Sequence, residues 1–147
     1  MAIQENPDTS RRKFTQLLTM TGLAALIAGA IVFLRGRPKT YPQRVVAQAG
    51  DIPIGGFKIF TYPTDVEPCI LLRPADDTYL AFSRICTHAS CPVHYRPDEN
   101  RLDCPCHQGS FSAVDGSVLY GPPPRPLPRV ILERRGPSLV AVRMEKA

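Results

Sequence analysis

Four of the five cysteines and two of the three histidines fall in two short stretches, CTHASC (Cys86 to Cys91) and CPCHQGS (Cys104 to Ser110). Each stretch pairs a thiol with an imidazole, Cys86 with His88 and Cys104 with His107. Both side chains bind transition metals, so the two stretches together offer four ligands of mixed softness. Zinc accepts two Cys and two His, but ordinary zinc fingers space their cysteines about two to four residues apart. Here a single residue separates Cys86 from His88, and a zinc site leaves Cys91 and Cys106 without a role. A plain disulfide framework uses the cysteines but does not explain why a histidine accompanies each pair.

The whole pattern is Cys-x-His, fifteen intervening residues, then Cys-x-x-His. It resembles the Rieske iron–sulfur family, whose two cluster-binding loops match CTH…C and CPCH. Gly121 to Pro128, GPPPRPLP, is similar to that family's proline loop, and the resemblance runs from about Val45 to the C-terminus. The resemblance implies one [2Fe–2S] cluster. Cys86 and Cys104 would hold one iron, His88 and His107 the other, and a Cys91–Cys106 disulfide would pin the two loops together. The implied fold is an all-β head of antiparallel sheets with a small cluster-binding subdomain.

Such a ligand set has consequences for electron and proton transfer. Two thiolates neutralise a diferric, two-sulfide core and neutral imidazoles add no charge, whereas four thiolates leave the core anionic. Adding an electron is easier in the first case, which puts the potential at roughly −150 to +300 mV. Iron on one ring nitrogen loosens the proton on the other, and reduction restores it. His88 and His107 therefore suit coupled electron and proton uptake from a quinol hydroxyl. The implied role is the electron-transfer subunit of a cytochrome bc-type quinol oxidoreductase, with a cytochrome b subunit and a cytochrome c-type acceptor as partners. No hydrolytic or transferase activity of its own is expected. The alternative is the Rieske small subunit of an exported molybdenum oxidoreductase, similar to that of arsenite oxidase.

Residues around the ligands tune the potential. In high-potential members a Ser two residues after the last His, and a Tyr four after it, donate hydrogen bonds to the cluster. Those positions are Gly109 and Phe111 here, which carry no hydroxyl. Ser110 substitutes only if the loop is shifted by one. The expected potential is in the lower part of the range, matched to a donor such as menaquinol. Ala89 stands where Leu is frequent and Gln108 where Gly is common. Pro122 and Pro123 would wall the site from a third side. Cys69 reads as a buried inert thiol, His94 as a surface histidine, and Arg125 and Arg129 as solvated surface.

These loops need a framework and a location. Leu17 to Leu34 is eighteen residues without a charge, about 27 Å as a helix against a hydrocarbon core of about 30 Å. Ala28–Ala30 offers a small-residue cleavage motif, but apolar residues continue to Leu34, so the segment reads as a retained membrane anchor. Flanking basic residues balance at three against three, Arg11, Arg12 and Lys13 before, Arg35, Arg37 and Lys39 after. SRRKF (Ser10 to Phe14) resembles the twin-arginine export signal and places the head outside a bacterial cytoplasmic membrane. The expected organisation is a tail with the signal over 1–16, disordered over its first ten residues. An anchor over 17–34, a hinge over 35–44 and the cluster domain over 45–147 follow.

From Val45 onward the chain reads as short strands, RVVAQAG, FKIFTY, CILLR, TYLAFSR, SVLY, RVILER and SLVAVR, with hairpin turns at RPADDTY and AVDGSV. Net charge is +5, of which residues 1–40 carry +4 (six Lys/Arg, two acids) and the remainder +1. The head has no basic stripe interleaved with aromatics, which argues against nucleic acid as a partner.

Overall fold

A computed structural model of the chain describes residues 7–34 and 40–145, which fall into two compact units, Met1–Thr40 and Tyr41–Ala147. The first contains one helix, α1, Pro7–Leu34. It begins ten residues before the expected anchor, so the twin-arginine segment is helical. Residues 7–10 therefore do not belong to a disordered tail, while 1–6 and the hinge residues 35–39 lie outside the described residues. Proline at the first helical position fits, because its missing N–H has no intrahelical partner there in any case. Leu17, Met20, Leu23, Leu26 and Phe33 expose their side chains. Among the described residues no helix is long and apolar enough to cross a membrane. The segment 17–34 is thus helical, without being a demonstrated span.

The second unit is all-β. Its ten strands are β1 Arg44–Gln48, β2 Phe57–Thr61, β3 Pro68–Ala75, β4 Thr78–Ser83, β5 His94–Arg96, β6 Arg101–Cys104, β7 Gly109–Ser112, β8 Val118–Tyr120, β9 Arg129–Arg135 and β10 Ser138–Glu145. A six-stranded antiparallel base sheet has the order β1-β10-β9-β4-β3-β2, and a four-stranded sheet the order β5-β6-β7-β8. β4 pairs directly with β9, Ala81 against Val130 and Phe82 against Arg129. That pairing closes the base sheet and turns residues 84–128 into an insertion that carries both Cys/His stretches.

The run CILL shows how the layers stack. Cys69 and Leu71 join one core with Val46, Tyr62, Ala81, Val130 and Ala141. Ile70 and Leu72 join the other with Phe82, Tyr95, Leu102, Phe111 and Leu127. A strand buried on both faces needs apolar residues at every position, which is why it reads as an unbroken run rather than an alternation. The second core is the layer between base sheet and insertion, and Cys86 and Cys104 belong to it.

One expectation shifts. Tyr41 and Arg44, assigned to the hinge by sequence, pack on the head. The Tyr41 ring stacks on Tyr62 at 6.4 Å, and Arg44 donates to the Thr61 carbonyl at 3.1 Å and pairs with Asp65 at 2.8 Å. In β2 it is Phe60 that packs on the core, while Phe57 and Ile59 are about half exposed at the sheet edge.

Candidate metal centre

The insertion presents its two stretches as turns. The first follows β4 and is closed by the Cys86 N–H donating to the Cys91 carbonyl at 2.8 Å and by an isolated bridge between Ile85 and Pro92. The second is the connection between β6 and β7, where Cys104 pairs with Gly109. Gln108 sits in that turn with φ of 55°, the left-handed region that glycine occupies without strain. This explains why Gly is common at that position.

The two turns meet at matched groups. Cys91 and Cys106 form a disulfide with Cα atoms 6.5 Å apart. The His88 and His107 rings lie edge to face with centroids 4.7 Å apart, both exposed. Cys86 and Cys104 are 2% and 3% exposed, and their side chains are neighbours. Burial, then that neighbouring thiol, raises the pKa of Cys104 above its ordinary value. The Cys91, Cys104 and Cys106 sulfurs lie within 4.8 Å of one another, but two of the three are bonded to each other. The sulfurs left for a metal in this region are Cys104 and its neighbour Cys86.

A third segment covers the turns. A Cβ on Gly109 would fall 2.8 Å from Pro123 Cγ, and one on Gly121 2.7 Å from the Gly109 Cα. The proline loop therefore lies directly on the second turn, with Pro123 buried and Pro122 exposed. The Thr87 hydroxyl donates to the Arg125 carbonyl at 2.6 Å, tying the same loop to the first turn. Thr87 was not singled out by sequence, although it is the one hydroxyl between the two candidate ligands of its turn.

Strand alternation decides the role of Ser110. Leu102 and Cys104 face the core, where Phe111 also lies, while Asp103 and Ser110 oppose each other on the other face. Ser110 is fully buried and donates to Asp103 Oδ1 at 2.8 Å. Arg101 donates to the same carboxylate at 2.9 Å, and Arg96 lies 3.6 Å from it. Ser110 is therefore on the opposite side of the sheet from Cys104, and its hydroxyl does not replace the one that Gly109 lacks. Asp103, which accepts that hydrogen bond, is a residue sequence reasoning missed. Phe111 is fully buried in the layer that holds Cys86 and Cys104. Ala89 is exposed beside His88.

The remaining candidates stand apart. His94 is exposed on β5 opposite Asp103. Cys69 is buried in the other core, its thiol donating to the Tyr62 carbonyl at 3.3 Å, with its pKa pushed up to about 12 by burial.

Residues 43–131 match the family described as the Rieske [2Fe-2S] domain. The chain is a member of the Rieske family. Curated relatives include the cytochrome b6-f complex iron-sulfur subunit of Chlorobaculum tepidum, 30% identical over 128 residues, 82% of this chain and 68% of that one. A putative respiratory nitrate reductase Rieske subunit of Haloferax mediterranei is 40% identical over 77 residues, 43% of this chain and 34% of that one. Among solved structures, the soluble domain of Rieske protein II from Sulfolobus acidocaldarius superposes with a TM-score of 0.62 at 23% identity, covering 71% of this chain and 78% of that one, which supports the fold. The Rieske domain binds a [2Fe–2S] cluster. The donor chemistry of this chain suits that group, with two soft thiols side by side in the apolar layer and two imidazoles side by side at the surface.

Proposed function

We propose that this Rieske protein accepts one electron and one proton from a quinol in a cytochrome bc-type complex and passes the electron to a cytochrome. The observation that carries the reading is the pairing of two buried thiols with two exposed imidazoles. Cys86 and Cys104 would hold the inner iron, shielded by Phe111 and Leu127. His88 and His107 would hold the outer iron and present their free ring nitrogens to solvent. When bound, the cluster supplies a one-electron couple at roughly −150 to +300 mV. The free nitrogen of His88 or His107 accepts the quinol hydroxyl hydrogen bond and then its proton. The proline loop, held by Thr87 and seated on Gly109, excludes water from the buried side. Positions 109 and 111 carry no hydroxyl, and the Ser110 hydroxyl is bonded to Asp103 on the other face, so none of the three offers a side-chain donor toward the cluster. That supports a potential in the lower part of the range and a donor such as menaquinol.

Location is part of the proposal. The uncharged, all-round apolar stretch Leu17–Leu34 and its exposed side chains support a membrane anchor, and SRRKF supports export of the head across a bacterial cytoplasmic membrane. Residues 35–40 would be the hinge on which the head moves.

A second reading, the electron-transfer subunit of an exported molybdenum oxidoreductase, draws support from the likeness to the nitrate reductase subunit of Haloferax mediterranei. The test is quinol reduction of the centre in native membranes together with co-purification. Reduction that an outer-site quinol inhibitor blocks, with cytochrome b in the purified complex, supports the first reading. Reduction that ignores the inhibitor, with a molybdopterin subunit in the complex, supports the second.

A further inference from the structure

The turn that carries Cys104, Cys106 and His107 closes on the cross-strand pair Cys104–Gly109, and the next pair behind it is Asp103–Ser110. The closing pair has no side-chain tie to offer, since Gly109 has no side chain and the Cys104 sulfur is taken by the metal in the reading above. The pair behind it has one. Ser110 is fully buried, and its hydroxyl donates to Asp103 Oδ1 at 2.8 Å. Arg101 Nε donates to the same oxygen at 2.9 Å and to Oδ2 at 3.2 Å, and Arg96 Nε lies 3.6 Å from Oδ2. The Arg101 guanidinium also sits over the Tyr120 ring, 6.0 Å from its centroid, and Tyr120 pairs with Ser110. Every strand of the four-stranded sheet thus contributes to one network centred on Asp103: Arg96 from β5, Arg101 and Asp103 from β6, Ser110 from β7 and Tyr120 from β8. We propose that Asp103 is a positioning residue for the metal centre, fixing the β6–β7 register and with it the placement of Cys104 and His107. The inference rests on the reading of those two residues as ligands.

The network faces away from the apolar layer, on the side where an antiparallel sheet ordinarily leaves its polar side chains to water. Fully exposed ion pairs on such a face are worth little. This one differs, because Ser110 is fully buried and Asp103 and Arg101 are half-buried. A covered carboxylate must be matched by donors. Matching it restricts the chain, since Ser110 and Arg101 reach Asp103 together in the observed register. Slipping β6 against β7 by one residue would turn Cys104 out of the apolar layer and part Ser110 from Asp103. The neighbouring strand gives less guidance, because the β7–β8 pairing shifts register between Ser110 and Phe111. Asp103 directly precedes Cys104, and Ser110 directly follows Gly109, so their hydrogen bond holds the turn at both of its ends.

The experiment uses the full chain, purified in detergent with its cluster, as wild type and as Ser110→Ala, Asp103→Ala and Asp103→Asn. Asparagine keeps the Oδ1 that accepts from both Ser110 and Arg101, so Asp103→Asn separates the hydrogen bonds from the charge. Iron release to a chelator is expected to be about tenfold faster in Ser110→Ala, the scale of one lost hydrogen bond to a charged group, and faster still in Asp103→Ala. Asp103→Asn is expected to stay close to the wild type. The EPR lines of the reduced centre are expected to broaden in both alanine variants as the geometry at His107 spreads, a change that a general loss of stability does not produce. With the iron removed, amide exchange in Ser110→Ala is expected to accelerate over residues 104–109 and to match the stripped wild type in β3 and β4. Unchanged iron release in Ser110→Ala overturns the inference, and so does an acceleration of exchange shared equally by the whole head. An Asp103→Asn chain as labile as Asp103→Ala also overturns it, placing the effect in charge rather than register. Iron analysis of His107→Ala tests the ligand reading separately. Full retention there defeats that reading, while exchange in the stripped chain still decides whether Asp103 sets the register.

Discussion

Gly109, Ser110 and Phe111 occupy successive positions of one strand and carry most of what is distinctive about this centre. Gly109 leaves no room for a side chain beneath Pro123, Ser110 faces away toward Asp103, and Phe111 closes the apolar layer. A hydroxyl restored at 111 would lie in the layer that holds both candidate thiolates. Phe111→Tyr is expected to raise the reduction potential by about one tenfold step, ~59 mV for one electron, measured by film voltammetry. An unchanged potential would mean that position 111 does not border the cluster. Gln108, with its left-handed φ, is strained relative to glycine. Gln108→Gly is expected to stabilise the head by about 1 kcal/mol in thermal melts, the left-handed strain exceeding the entropy cost of glycine.

At the level of elements, the centre depends on three loops held by unlike ties: the disulfide between the turns, the Thr87–Arg125 hydrogen bond, and the seating of Gly109 and Gly121 under the proline loop. Thr87→Val keeps the shape and removes the donor. It is expected to cost about 1 kcal/mol and to speed amide exchange selectively over residues 121–128, read by mass spectrometry. Uniform acceleration across the head would instead indicate a general loss of stability. The base strands were legible because CILLR, TYLAFSR, RVILER and SLVAVR are long and apolar enough to mark themselves. β5, β6 and β7 were not. HYR, RLDC and GSFS are three or four residues long, with polar side chains on the outer face. Their strand character comes from pairing with one another, which no local pattern encodes. The same blindness hid Asp103, whose partner Ser110 is fixed only by the β6–β7 register.

For the whole molecule, sequence separated an apolar N-terminal segment from a β head, and it fixed the chemical character of the two turns. It placed the start of the head a few residues late, because the stacking of Tyr41 on Tyr62 is a contact between distant positions. The head also carries an alkaline limit. Burial raises the Cys69 thiol from its ordinary 9.0 to about 12, so folding favours the neutral thiol. The stabilisation is complete below pH about 9 and is lost as pH rises from about 9 to about 12. Burial likewise raises the pKa values of Tyr62 and Tyr95 above their ordinary 10.0, which extends the loss upward. Chemical denaturation midpoints are expected to fall as pH rises above 9 in the wild type and to fall less over the same range in Cys69→Ala. Equal losses in the two proteins would place the alkaline limit elsewhere. All of this surrounds one claim, that the centre is held unequally, by sulfur on one iron and by ring nitrogen on the other. Electron–nuclear double resonance on the reduced protein, grown with nitrogen-15 histidine, tests it most directly. Two strongly coupled histidine nitrogens are predicted, one lost in each of His88→Ala and His107→Ala where cluster remains. A reduced centre showing no histidine coupling would contradict the account.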